Sequence, residues 1–152
     1  MNNIQERGFT LLLASLIASI VLILGTAMYE LASREVALSS IGRDSQFAFY
    51  AADGAAECGL YYDIRQEAFS TSSPPETVLC DGQTVPLTHT AGDSGSEVFS
   101  FQYEPNGECA KVTVTKNTGN PRTVIDASGY NTKCVDIEIS DRALERSVEL
   151  HY

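Results

Sequence analysis

Charge is spread unevenly along the chain. Between Arg7 and Glu30 no residue is charged, and the 22 residues from Gly8 to Tyr29 are mostly Leu, Ile, Val and Ala. Hydrophobic positions fall on every face of a helical projection, a pattern that a buried helix of a small soluble domain seldom shows. At about 1.5 Å per residue such a helix spans roughly 33 Å, enough to cross a hydrocarbon core about 30 Å thick. The pattern predicts a membrane-inserting helix over 9–29. Leu11, Leu12, Leu13, Leu16, Ile17, Ile20 and Leu24 are among the side chains that lipid, or a bundle of such helices, would cover.

Beyond Glu30 the apolar positions become one-sided. Leu31, Leu38, Ile41, Ala48, Ala52, Ala55 and Tyr62 recur at steps of three, four and seven, and no Pro intervenes before Asp63. That is the stripe of an amphipathic helix. Glu30 and Arg34 stand four apart in the favourable order. Gly42, Gly54 and Gly59 each weaken the helix by about 1 kcal/mol, and they allow close approach of neighbouring chains. One helix is expected to run on to about residue 66.

Ser70 to Ser73 followed by Pro74-Pro75 ends any helix. The period then switches to two. Val78–Cys80 and Thr84–Leu87 flank Asp81-Gly82, a hairpin-turn pair. Val98–Tyr103 places three aromatics on one face, and Lys111–Thr115 alternates. Thr123–Ile125 reads as a short strand before Ser128-Gly129. Val135–Ile139 is the cleanest alternation in the chain, and Val148–Tyr152 reads as a final strand. Turn residues cluster at Pro105-Asn106-Gly107 and over 117–121. Short connections favour an antiparallel sheet. The second half of the helix is available to cover its apolar face. The expected architecture is α+β: a long N-terminal helix packed by its C-terminal half on an antiparallel head over 67–152.

Composition narrows the class. Ten Lys and Arg against 20 Asp and Glu give a net charge of −10. Nucleic-acid binding needs clustered cations, so no nucleic-acid partner is expected. None of Cys58, Cys80, Cys109 and Cys134 forms a C-x-x-C pair, which argues against a zinc knuckle or thioredoxin-type site. In a small exported domain four Cys read as two disulfides. Three connectivities exist. Local pairing, Cys58–Cys80 and Cys109–Cys134, is the one expected here. Four free thiols are the alternative if the host exports without oxidising. The first bond would clip the helix end to the first strand, and the second would tie two strands across the 117–121 loop.

Glu6-Arg7-Gly8-Phe9-Thr10-Leu11-Leu12 sets a Gly at the border between polar and apolar residues, directly before the uncharged run. This resembles the cleavage site of type IV prepilins, in which a dedicated peptidase cuts after the Gly and methylates the new N-terminus. The resemblance implies a leader over 1–8, a mature start at Phe9, and a head outside the cell. Gly42–Glu57 is similar to PilX-type minor pilins. In that family a Ser/Gly-Arg-acid segment runs into Gln-x-Ala-aromatic-x-Ala-Ala-acid. Here Arg43, Asp44, Gln46, Phe47, Ala51, Ala52, Asp53 and Glu57 occupy the pattern. The resemblance covers roughly Arg7 to Asp63. In most type IV pilins the fifth mature residue is Glu, thought to neutralise a neighbour's N-terminal amine; here it is Leu13. That departure implies a minor, tip-proximal or initiating subunit.

The implied partners are a prepilin peptidase, other pilins in a helical filament, the inner membrane before assembly, and a tip adhesin. The implied roles are pilus assembly or initiation, and adhesion or aggregation. A pseudopilin of a type II secretion or DNA-uptake system shares the same N-terminus. A single-pass anchored binding domain that never polymerises is a third reading. Gly25-Thr26-Ala27 also permits an ordinary signal-peptide cut.

No enzyme is expected. Gly92-Asp93-Ser94-Gly95 mimics a serine-protease segment, but the chain has only His89 and His151 to serve it. Asp93, Ser94, Ser96 and Glu97 offer oxygen ligands for Ca²⁺ without the full alternating loop. No cofactor is therefore expected, and solvated turn residues are the simpler account. Phe47, Phe49, Tyr50, Tyr61 and Tyr62 are expected to pack under the sheet or against neighbouring subunits, with a carbohydrate platform as the alternative.

Overall fold

The computed structural model describes residues 3–70 and 73–152, with side chains from Phe9 onward except that of Ser94. Met1 and Asn2 of the expected leader, and Thr71 and Ser72 of the expected break, lie outside the described residues. One helix, α1, runs Asn3–Ile64. The strands are β1 (Thr77–Cys80), β2 (Gln83–Pro86), β3 (Thr88–Ala91), β4 (Glu97–Tyr103), β5 (Cys109–Lys116), β6 (Thr123–Tyr130) and β7 (Glu145–His151). The protein divides into two compact units, one up to Ile41 and one over Gly42–Tyr152. The first unit is helix throughout its described part. The second holds the last turns of α1 and all seven strands.

The expected α+β architecture is present. α1 stops at Ile64, two residues before the expected end. The Ala68 amide donates to the Tyr62 carbonyl at 3.0 Å and the Arg65 amide to the Tyr61 carbonyl at 2.9 Å. Glu67 takes the left-handed conformation (φ 49°) that commonly closes a helix. This turn sends Phe69 into the core, where it is 2% exposed.

β1 and β2 form a small hairpin over the predicted Asp81-Gly82 turn, both turn residues having positive φ. The main sheet is a five-stranded antiparallel meander, β3-β4-β5-β6-β7. Its inward rows run Phe99, Val114, Ile125, Leu150; then Phe101, Val112, Ala127, Val148; then Tyr103, Ala110, Gly129, Arg146. The third row tapers from Tyr to Gly between β4 and β6, and the helix fills the space. A Cβ on Gly129 would overlap the Ala48 carbonyl oxygen and the Ala52 amide nitrogen, and would lie 3.0 Å from the Ala51 carbonyl carbon. Ala48, Ala51, Ala52, Ala55 and Ala56 are buried on this face. A Cβ on Gly59 would lie 3.2 Å from both Ile125 and Val112. Gly59 therefore serves approach to the protein's own sheet, a correction to its expected use by neighbours.

Four further corrections concern the head. Val135–Ile139 is not a strand. It lies in a loop of turns in which the Asp136 amide donates to the Lys133 carbonyl and the Ser140 amide to the Asp136 carbonyl, both at 3.0 Å. Those local bonds take up backbone groups that a ladder would need. β6 extends through Ser128-Gly129, and β3 is a strand without any alternating signal. The disulfides have the expected pairing, Cys58–Cys80 and Cys109–Cys134, with Cα atoms 6.0 and 4.7 Å apart. The second, however, joins the start of β5 to the loop after β6, not to another strand.

Candidate functional site

The apolar run of α1 presents its side chains outward. From Phe9 to Leu38 every residue is exposed. Leu11, Leu12, Leu13, Leu16, Ile17, Ile20 and Leu24 are all among the exposed large hydrophobics. The helix is long and apolar enough to cross a membrane. Its hydroxyls do not spoil that surface. Ser15 donates to the Leu12 carbonyl at 2.9 Å, Ser19 to Leu16 at 2.8 Å and Thr26 to Ile23 at 2.9 Å. Each donor is satisfied within its own helix, as an apolar surrounding requires. Gly8 and Phe9 both fall inside α1. At Leu13 an apolar side chain, 47% exposed, stands where the resemblance would place a carboxylate.

The Gly42–Glu57 segment splits its residues between two jobs. Ala51 and Ala52 are buried against the sheet. Arg43, Gln46, Phe47, Asp53 and Glu57 are exposed or partly so, and Asp44 is half-buried with Arg43 Nε 3.9 Å from its Oδ1. Ser45 Oγ accepts from Arg146 Nε at 2.8 Å, which fastens β7 to the helix.

The aromatic run does not pack under the sheet, apart from Tyr62. Its hydroxyl accepts from the Leu79 amide at 2.7 Å. Phe47, Phe49, Tyr50 and Tyr61 are exposed. The reason is spacing: the stripe through 48, 52 and 55 meets the sheet, so 47, 50 and 61 fall off it. Phe47, Tyr50 and Ala51 wall a groove of about 410 Å³, closed on the other side by Pro105, Asn106 and Glu108.

Sequence reasoning missed a polar clasp around a buried carboxylate. Lys116 Nζ donates to Asp63 Oδ2 at 2.6 Å and to Thr123 Oγ1 at 2.9 Å, and the Tyr152 hydroxyl donates to Asp63 Oδ2 at 2.6 Å. Asp63 is 9% exposed. The cluster ties the end of α1 to β5, β6 and the residue after β7, satisfying a carboxylate that burial would otherwise penalise. Only the isolated acid at the end of the helical stripe hinted at it. Burial, then the hydrogen bond and charge of Asp63, raise the Tyr152 phenol above its ordinary range. Burial, then the charges of Asp81 and Glu57, push Tyr103 up from 10.0 to about 12. Both groups hold their protons more tightly when folded. Their stabilisation is complete below pH 10 and is lost as pH rises through the folded values. Urea midpoints measured from pH 8 upward should stay level to about pH 10 and then fall steadily, and Tyr103→Phe should flatten part of that fall.

The remaining candidate chemistry is engaged locally. Asp93–Gly95 is a short 3-10 turn. His89 Nε2 lies 2.7 Å from Glu97 Oε2, and its ring stacks on Phe99 at 4.5 Å. Ser96 Oγ donates to the Asp93 carbonyl at 2.8 Å. Two of the proposed calcium ligands therefore already have partners. Among the described residues no group of three His, Cys, Asp or Glu side chains is placed to hold a metal ion.

No family model, curated protein or solved structure matches the protein.

Proposed function

We propose that the protein is a minor subunit of a type IV filament, made as a membrane-inserted precursor and cut after Gly8. The observation that carries this reading is one helix with two surfaces. Its first part is apolar on all faces with internally bonded hydroxyls, and its last part packs a small-residue stripe on an antiparallel sheet. The resemblance around Gly8-Phe9 and over Gly42–Glu57 supports a pilin of the PilX type. The apolar surface would hold the subunit in lipid and then pack against other pilins, where close packing and exclusion from water favour association. Leu13 supports a tip-proximal or initiating position, since it offers a neighbour no buried carboxylate. Assembly, and through it adhesion or aggregation, is the expected role. The exposed Phe47, Phe49 and Tyr50 would face neighbouring subunits or a tip adhesin.

The test follows the protein in cells that make it. It should appear in membranes and, at low copy, in sheared filaments. Ile17→Arg places a charge mid-segment, at about 2.5 to 3.5 kcal/mol on insertion scales, and should deplete the protein from both fractions. A protein abundant in membranes but never in sheared filaments would count against the filament reading and favour an anchored domain. One that instead co-purifies with a secretion complex would favour the pseudopilin.

A further inference from the structure

The turn between β4 and β5 carries a dipeptide, Asn106-Gly107, that the proposed function does not use. Asn106 is exposed and left-handed (φ 53°, ψ 18°), and Gly107 follows at φ 94° with open space where a side chain would stand. No hydrogen bond engages the Asn106 side chain among the described residues. The other asparagines of the head differ. Asn117 donates through Nδ2 to the Pro121 carbonyl at 3.1 Å. Asn131 donates to the Arg142 carbonyl at 3.2 Å and accepts from the Leu144 amide at 2.8 Å. Asn120 precedes Pro121, whose nitrogen carries no proton to lose.

We infer that Asn106 is a self-modification site, converted by its own backbone and water to aspartate and isoaspartate. The Gly107 backbone nitrogen loses its proton and attacks Asn106 Cγ. A new bond from that nitrogen to Cγ closes a five-membered imide, and the Cγ–Nδ2 bond breaks to release ammonia. Water then adds to either imide carbonyl and reopens the ring. One opening gives aspartate; the other routes the backbone through the former side-chain carbonyl as isoaspartate. No oxidant or external group is consumed beyond water. Gly107 suits the step because its missing side chain leaves the nitrogen unshielded and lets the backbone rotate toward Cγ. The product adds a carboxylate beside Glu108 on the wall of the groove formed with Phe47 and Tyr50. An aged subunit would therefore present a more anionic groove than a new one.

The test uses the purified full-length protein in detergent, held folded at mildly alkaline pH and sampled over time. Peptide mass mapping should find the gain from replacing NH by O at Asn106, with isoaspartate identified by its methyltransferase, while Asn117 and Asn131 stay intact. Asn106→Gln should remove the signal. The rate should rise with pH, because the attacking amide must ionise. Conversion seen only in urea would overturn the inference, since the fold would then be protecting the turn. Equal conversion at Asn117 and Asn131 would also overturn it, because the structural selection would be absent.

Discussion

Reducing both disulfides is expected to unfold the head. The bonds close segments of 22 and 25 residues. Loop-closure entropy assigns each about 3 to 4 kcal/mol, or roughly 7 kcal/mol together. A domain of this size has a total stability of about 5 to 15 kcal/mol, so that loss consumes most or all of it. The head has little else to offset it. Its core draws heavily on Ala, and much of the apolar surface of α1 is exposed. Cys80 and Cys109 are themselves buried core residues. Urea unfolding followed by circular dichroism, with and without reductant, measures the effect directly. A reduced protein that keeps its oxidised midpoint would mean the bonds constrain nothing in the unfolded state.

The second large effect belongs to Gly129. Replacing it by Val should cost roughly 3 kcal/mol or more, since overpacking a tight contact forces backbone to shift. The obstruction is the helix backbone at Ala48 and Ala52, which cannot rotate aside as a side chain would. Moving α1 outward would also open the contact of Ala55 and Gly59 with the sheet. The thermal midpoint should fall by roughly 10 °C. Gly119→Val provides the control, because nothing lies within 4 Å of a Cβ there. Equal midpoints for the two variants would show that the helix does not approach β6 as closely as described.

Both effects bear on what could be read from the sequence. The apolar run, the one-sided stripe and the Asp81-Gly82 hairpin were legible because each is a local period or a local turn. β4 was legible because Phe99, Phe101 and Tyr103 alternate with polar residues and all point inward. Val135–Ile139 alternates as well, yet Val135 and Ile139 are each 78% exposed. Alternation records what a strand could bury. It does not record whether a partner strand is present, and here local turns take up the segment's backbone groups. β3 is the converse. Thr88–Ala91 is exposed throughout, with nothing to alternate, and is a strand only because β4 pairs with it. Gly129 read as a turn residue, but it occupies mid-sheet because the helix backbone needs its volume. The Asp63 clasp joins residues up to 89 positions apart. No local window contains it.

The candidate site divides in the same way. Its membrane-length surface is a composition and needed no tertiary information. The exposure of Phe47 and Tyr50 depended on which helical stripe meets the sheet, and that is a tertiary fact. The stripe comes closest to the sheet at Gly129, 81 positions beyond Ala48, where a Cβ would overlap the helix backbone.

The central claim is that α1 enters the membrane as a precursor and leaves it as a processed filament subunit. The most direct measurement is the mass of the N-terminal peptide, from the protein expressed with and without a prepilin peptidase. The account predicts a start at methylated Phe9 only when the peptidase is present. A start at Met28 would instead mark an ordinary secreted domain. An intact Met1 in both hosts would mark a permanent anchor and contradict the account.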